Sequence, residues 1–439
     1  MQEADSATDR YAKEREDRTD LALVTIDPPG SKDLDQALHI ARTDTGYVLH
    51  YAIADVGAVV EPGGALDRET RKRGQTLYLP DGSIPLHPRE LSEGSASLLP
   101  DQTRPAALWH IELDVNAEPV SWSVTRALVR SVARFDYATV QSDADSGRLH
   151  PSLTALPEFG KRRMAAAITR GAIELKLPEQ EVVEDANSTW RVAAAVRTEA
   201  DDWNAEVSLL TGMCAASMMI EAKVGLLRTL PPAEPGALAD LRKTALALGI
   251  AWPDGAAAGE ILAGLDPNDT ATLALMSEAP KLLRGADYAA FDGTVPELFE
   301  HSAIAAPYAH VTAPLRRLSD RFTTEVCLAI SADSEIPAWA REALPTLPDL
   351  MSGSDSLSNK VDRACIDRTE ATMLEGRVGE VFEATILRSR ENKRAAEVFV
   401  SSVMTIAKCA GDPKEGEHAK VRLTTVDVDE RKVEFTFPA

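Results

Sequence analysis

The stretch Thr25-Ile26-Asp27-Pro28-Pro29-Gly30-Ser31-Lys32-Asp33-Leu34-Asp35-Gln36-Ala37 places three carboxylates within nine residues. It follows a strand-like apolar run, Leu21 to Ile26, and bends through Pro28-Pro29-Gly30-Ser31, which neither continues a strand nor starts a helix. Asp27 therefore falls at a strand end. Asp33 and Asp35 stand at i and i+2, so in extended backbone both side chains project to one side and Leu34 to the other. Carboxylates this close raise one another's pKa unless a cation neutralises them. A few hard oxygen ligands with room for water suit Mg²⁺ or Mn²⁺, which commonly also coordinate a substrate phosphate. An Asp-rich surface turn satisfies the same spacing, so the stretch alone leaves both readings open.

Beyond the acidic loop, Gln36 to Arg42 and Tyr47 to Val56 alternate as strands joined by a hairpin at Thr43-Asp44-Thr45-Gly46. Asp55 at the end of the second strand caps the following turn or joins the carboxylates, and the capping role is the favoured one. Gly63 to Arg73 carries a helical pattern, and residues 106–120 and 121–135 two further strands. Pro157 to Leu175 and Thr198 to Leu227 have helical spacing. Residues 228–285 read as short packed helices, with a capping signal at Asp266-Pro267-Asn268-Asp269. The second dense motif is Tyr308-Ala309-His310-Val311-Thr312-Ala313-Pro314-Leu315-Arg316-Arg317-Leu318-Ser319-Asp320. Pro314 suits the first turn of a helix, which would put Arg316 and Arg317 near a positive helix N-terminus where phosphate binds. Helix is expected again from Pro337 to Leu374, interrupted near Pro345 to Ser358. Five β-rich runs follow: Val378 to Arg388, Ala395 to Ser401, Met404 to Cys409, Ala419 to Asp427 and Lys432 to Phe437.

The 439 residues are 44% hydrophobic and 26% charged, enough for two or more globular domains. The net charge of −22, from 69 acidic and 47 basic residues, has the wrong sign for a surface that attracts nucleic acid everywhere. Any grip on RNA must be local: a channel lined by Arg and Lys on an acidic body satisfies this, as does a protein that binds no nucleic acid at all, and composition alone does not choose between them. Cys214, Cys327, Cys365 and Cys409 are scattered and form no C-x-x-C pair, which argues against zinc and for a reducing cytoplasm. No 18-residue apolar run is seen, so no membrane span is expected, and the polar stretch Met1 to Asp20 argues against a secretory signal.

The pattern D-P-P-G-S-x-D-x-D-Q-A resembles the metal-binding signature of the ribonuclease II (RNB-domain) family, in which four acidic positions surround magnesium. Asp27, Asp33 and Asp35 match three of them, and Gln36 stands at the fourth, where it supplies no charge. The segment Gly74-Gln75-Thr76-Leu77-Tyr78-Leu79-Pro80, then Ile84-Pro85-Leu86-His87-Pro88, then Leu91-Ser92-Glu93-Gly94-Ser95-Ala96-Ser97-Leu98, is similar in order to a further family segment. The Tyr308 to Asp320 motif resembles the family's arginine motif, with Ala313 for Ser and Leu318 for Tyr. The β-rich ending resembles an OB barrel of the ribosomal-protein S1 type.

The resemblance implies an α+β fold: a mixed sheet surrounded by helices over residues 21–370, behind a polar segment 1–20, and a C-terminal RNA-binding β-barrel over 371–439. The family's cold-shock domains, which precede its catalytic domain, are not expected here. Implied is a Mg²⁺-dependent 3′-to-5′ exoribonuclease, with Mn²⁺ a possible substitute, that degrades single-stranded RNA processively to nucleoside 5′-monophosphates by two-metal chemistry. It needs no nucleotide cofactor. Asp27, Asp33 and Asp35 would hold metal, with Asp35 the least replaceable. Arg316 would stabilise the transition state, and Tyr137 would position the scissile end. Tyr78, Tyr137, Glu206, Arg316 and Arg317 would contact RNA, with a core position the alternative for Tyr78 and a solvated one for Glu206. The family's opposing aromatic clamp falls near Leu175, and its late acid at Asp362 or Asp367. His310 is expected to be structural. Two other readings stay open: a weakened or inactive RNA-binding protein of the same fold, suggested by Gln36, and an acidic scaffold for protein partners.

Overall fold

The computed structural model describes residues 8–175, 180–185, 187–195, 197–266, 269–390 and 395–439. Its centre is the predicted hairpin, observed as β3 (Gln36–Thr43) and β4 (Gly46–Ala54), which follow the short strands β1 (Glu16–Asp17) and β2 (Leu23–Ile26). Gly46 is obligatory at the turn, because a Cβ there would lie 2.1 Å from the Leu113 carbonyl oxygen. Strict alternation sends Leu49, Tyr51 and Ile53 to one face of β4 and His50, Ala52 and Ala54 to the other.

The small hairpin β5 (Leu77–Leu79) and β6 (Gly82–Ile84) precedes two long strands, β7 (Thr103–Leu113) and β8 (Pro119–Phe135). The six-stranded sheet runs β1-β8-β2-β3-β4-β7 and is mixed: β1 and β2 lie parallel to β8, and the remaining pairs are antiparallel. With 17 residues, β8 pairs with β7 along its first part and with β2 at its end, so the sheet curls back on itself.

One sheet face packs on helices α1 (Leu156–Arg170), α2 (Glu199–Ala222) and α3 (Leu318–Ser331), through a core holding Trp109, Trp203, Phe159 and Phe322. By length and composition alone α2 could cross a membrane, which corrects the expectation that no segment is apolar enough; here more than half of its apolar window is buried inside the fold. The opposite sheet face carries a smaller cluster of Leu23, Leu34, Leu66, Leu91, Leu98 and Leu315.

Sequence after α2 was expected to remain helical to Leu227, but Lys223 adopts a left-handed φ of 57° and strand β11 (Val224–Thr229) begins at once. It follows the hairpin β9 (Gln180–Glu184) with β10 (Trp190–Ala194) and pairs with β12 (Asp287–Asp292). Between β11 and β12 lie the expected short helices, packed around Leu241, Trp252, Leu262 and Leu275. Pro267 and Asn268 of the capping signal lie outside the described residues. Strands β13 (Glu300–His301) and β14 (Ala306–Pro307) lead into the arginine motif. Helix α4 (Leu347–Leu374) runs unbroken through residues where an interruption was expected, because Pro348 sits in its first turn, where no backbone donor is lost.

The last strands, β15 (Val381–Arg388), β16 (Ala396–Val400), β17 (Thr405–Ala410), β18 (His418–Asp427) and β19 (Lys432–Thr436), close into the expected barrel. Its interior is filled by Phe382, Ile386, Val398, Val421, Leu423 and Phe435, with Leu374 at the end of α4 plugging the same cluster.

Candidate active site

Asp27 follows β2 directly, and its backbone N–H donates to the Phe135 carbonyl at 3.1 Å, which fixes the start of the acidic loop on the end of β8. Leu34, fully buried, anchors the other limb in the same apolar cluster as Leu315 of the arginine motif. Burying one leucine contributes about 1.5–3 kcal/mol, so the two motifs are joined by packing before any polar contact is counted.

Polar contacts complete the join. Leu315 N–H donates to Asp35 Oδ1 at 2.7 Å, and Arg316 Nε lies 3.4 Å from Asp35 Oδ2. The Gln36 amide donates to the Thr312 carbonyl at 2.5 Å. At the fourth acidic position of the loop the side chain is therefore a tie between segments. Thr76 N–H donates to the Arg316 carbonyl at 2.9 Å, which holds the β5–β6 hairpin against the same loop.

The helix expected at Pro314 begins only at Leu318, with Arg317 as its N-cap residue. The turn ahead of it is held by Asp320, which accepts from Ala313 N–H at 2.7 Å and takes both arms of Arg317 at 2.6 and 2.7 Å. Arg317 is thus fixed in a bidentate pair that tightens the loop, and of these two neighbouring guanidiniums it is Arg316 that faces the aspartates.

Asp35 is buried, and burial pushes its carboxyl up to about 8 despite the lowering effects of Arg316 and the Leu315 N–H. Burial likewise raises Asp27 to about 6, against the nearby guanidiniums of Arg134 and Arg316. Tyr78 donates its hydroxyl to Asp33 Oδ2 at 3.2 Å, while 53% of the residue stays exposed, which removes the core alternative for this aromatic. Tyr137 opens the helix Tyr137–Asp145, capped by Asp136, and Asn204 of α2 donates to its hydroxyl at 3.5 Å. Desolvation and the Asp27 charge both raise its pKa.

Asp27, Asp33, Asp35, Arg316, Tyr78 and Tyr137 are therefore brought to one place. The others are not. Glu206 lies on a different face of α2 from Asn204, 4.0 Å from Arg163, and burial lifts it to about 7. Leu175 packs against the short-helix cluster. Asp362 is exposed on α4 and Asp367 pairs with Arg363 at 2.8 Å, whereas Asp355 of that helix, not singled out from the sequence, pairs with Arg228 at 3.2 Å and feels the Arg317 charge. Asp55 caps the helix Val56–Val59 and is paired with Arg15 and Arg126. His310 is half-buried, with Nδ1 2.7 Å from the Tyr288 hydroxyl. Also missed were Tyr51, buried beneath the aspartates and 2.8 Å from Ser208, and Asp320. The hydrophobic setting of Tyr51 hid it, whereas Asp320 stood in the quoted motif.

Three aspartates, two of them raised by burial that local cations do not offset, form a donor set that fits a hard divalent cation. Among the described residues no group of three or more His, Cys, Asp or Glu side chains already surrounds one point. Tyr78 engages Asp33 and Arg316 engages Asp35.

The RNB domain matches residues 15–329, and the RNase II-type exonuclease C-terminal S1 domain matches residues 380–437. The Exosome complex exonuclease RRP44 homolog A of Arabidopsis thaliana is 29% identical over 78% of this chain and 38% of its own length. Ribonuclease R of Escherichia coli is 26% identical over 96% of this chain and 57% of its own length. The chain thus spans well under two thirds of these curated relatives. Among solved structures, the apo form of Mycoplasma genitalium RNase R superposes with a TM-score of 0.89 at 21% identity, covering 99% of this chain and 74% of that one, and shares the fold. Because the RNB match takes in the acidic loop, the β5–β6 hairpin and the arginine motif that the structure assembles into one site, the chain belongs to the RNB-domain family.

Proposed function

We propose that this protein is a Mg²⁺-dependent exoribonuclease that hydrolyses single-stranded RNA processively from the 3′ end and releases nucleoside 5′-monophosphates. One observation carries the reading: the Arg316 guanidinium, supplied from beyond a gap of some 280 residues, stands against the carboxylate of Asp35 beside Asp27 and Asp33. Nucleases of this family generally depend on divalent metal. Mg²⁺ suits the all-oxygen donor set, and Mn²⁺ would substitute.

Asp27, Asp33 and Asp35 would hold the cations. Bound there, divalent metal supplies an activated water and offsets charge on the phosphate and the leaving oxygen. Arg316 provides a fixed fork for the phosphate oxygens where negative charge gathers in the transition state. The Tyr137 hydroxyl, beside Asp27, orients the scissile end, and the exposed Tyr78 ring offers a stacking face worth about 1–3 kcal/mol to a terminal base. The Leu315 N–H and the buried Leu34 keep Asp35 in register with Arg316. All four cysteines are free thiols, which supports placing the protein in the cytoplasm.

The test is 5′-labelled single-stranded RNA incubated with protein and Mg²⁺. Progressive shortening to a short product, stopped by EDTA, is expected; no metal-dependent shortening removes the reading. A second reading, RNA binding without turnover, rests on Gln36, whose amide is tied to Thr312 where the family carries an acid. RNA retention without shortening selects it.

A further inference from the structure

Three of the eight histidines form a row that catalysis leaves unused. The β3–β4 register sets His39 directly opposite His50, and the β4–β7 register sets His50 directly opposite His110. Directly opposed residues on one sheet face have Cβ atoms about 4.5–5.5 Å apart, so the three imidazoles are forced into contact range by strand pairing alone. The face is that of Ala52 and Leu108, opposite the one bearing Tyr51 and the core helices. Here the apolar cover ends, and all three rings are half-buried.

We propose that His39, His50 and His110 form a metal site that takes a borderline divalent ion, Zn²⁺, Ni²⁺ or Cu²⁺, through imidazole nitrogen. His110 Nδ1 lies 3.1 Å from His50 Nε2. Two nitrogens each bound at 2.0–2.1 Å to one ion and separated by that distance subtend about 95–100° at the metal, within the range of four- to six-coordinate sites. His39 Nδ1 and His50 Nδ1 are buried with no hydrogen-bond partner. A hydrogen bond between two neutral rings engages one donor and one acceptor and leaves the rest of the row unsatisfied, whereas a cation accepts lone pairs from several rings at once.

The third ligand is His39, whose ring centroid is 6.1 Å from that of His50. It reaches the ion by side-chain rotation, as no three ligands already surround one point among the described residues. Nitrogen donors here and oxygen donors at the aspartates select different metals, so the two sites fill independently.

The test uses untagged protein in excess Mg²⁺, titrated with Cu²⁺ and followed by electron paramagnetic resonance. One equivalent bound with imidazole-nitrogen coupling is expected. In the His50→Gln/His110→Gln double variant the coupling should vanish, and affinity should fall by more than the roughly 10–100-fold that loss of an outer-shell partner costs. RNA shortening and circular dichroism should be unchanged. If that variant does not fold, His110→Gln alone should remove one nitrogen coupling. A wild-type spectrum with oxygen ligands only, or nitrogen coupling that survives the substitutions, overturns the proposal.

Discussion

Arg316 and Asp35 meet across the sequence at a single carboxylate: Nε stands 3.4 Å from Oδ2, while the Leu315 N–H beside it donates to Oδ1 at 2.7 Å. Even so, Asp35 sits at about 8, because desolvation exceeds what one guanidinium and one N–H return. The carboxylate therefore keeps affinity for further positive charge, which is the physical basis of the cation proposed for this place.

Asp35→Asn keeps the acceptor for Leu315 but removes the charge. RNA shortening should stop while filter-binding affinity for single-stranded RNA stays within a few-fold. Because a costly buried carboxylate is gone, the melting temperature without metal should be unchanged or higher. A variant as active as wild type would refute the metal assignment.

Arg316→Lys preserves charge but not the fork. The expected loss is about 10²–10³ in kcat, with a smaller change in KM, as for removal of one preorganised donor from a transition-state site. Single-turnover kinetics at saturating RNA measure it, and an effect confined to KM would reassign Arg316 to substrate binding.

Leu34→Ala deletes the apolar anchor shared with Leu315. Large-to-small substitution at a fully buried leucine costs about 2–5 kcal/mol, to be read from urea unfolding. Divalent-metal affinity should weaken as well, because the loop that spaces Asp33 and Asp35 loses its seat. Weakening by less than 1 kcal/mol, on the order of a surface change, would show that the loop is held otherwise.

Tyr78→Ala, at a residue 53% exposed, should alter stability by no more than about 0.5 kcal/mol. RNA affinity should fall by about 1–3 kcal/mol of stacking, and the final product should change in length. Equal affinity and product length would place the base elsewhere.

Glu206 carries a pH signature. Its folded value of about 7 exceeds its ordinary 4.5, so the folded state binds the extra proton between those values. Stability from this group is full below pH 4.5 and is lost as pH rises through 7, by roughly 3–4 kcal/mol at 1.36 kcal/mol per unit. Glu206→Gln should flatten denaturant midpoints across that window, and parallel wild-type and variant curves would contradict the burial argument.

Much of this was written locally. Alternation fixed the β3–β4 hairpin and the five barrel strands, and the Pro28-Pro29-Gly30 turn placed Asp27 at a strand end, because period-two burial and turn chemistry act over a few residues. The motifs and the family resemblance singled out Asp27, Asp33, Asp35, Tyr78, Tyr137 and Arg316, which the structure brings to one place. What only tertiary structure decided is which partners each group meets. Arg317 turns to Asp320, Gln36 to Thr312 and Glu206 to Arg163, and the histidines line up only because β3, β4 and β7 pair in one register. Such choices depend on burial and on contacts hundreds of residues apart, for which local spacing carries no signal.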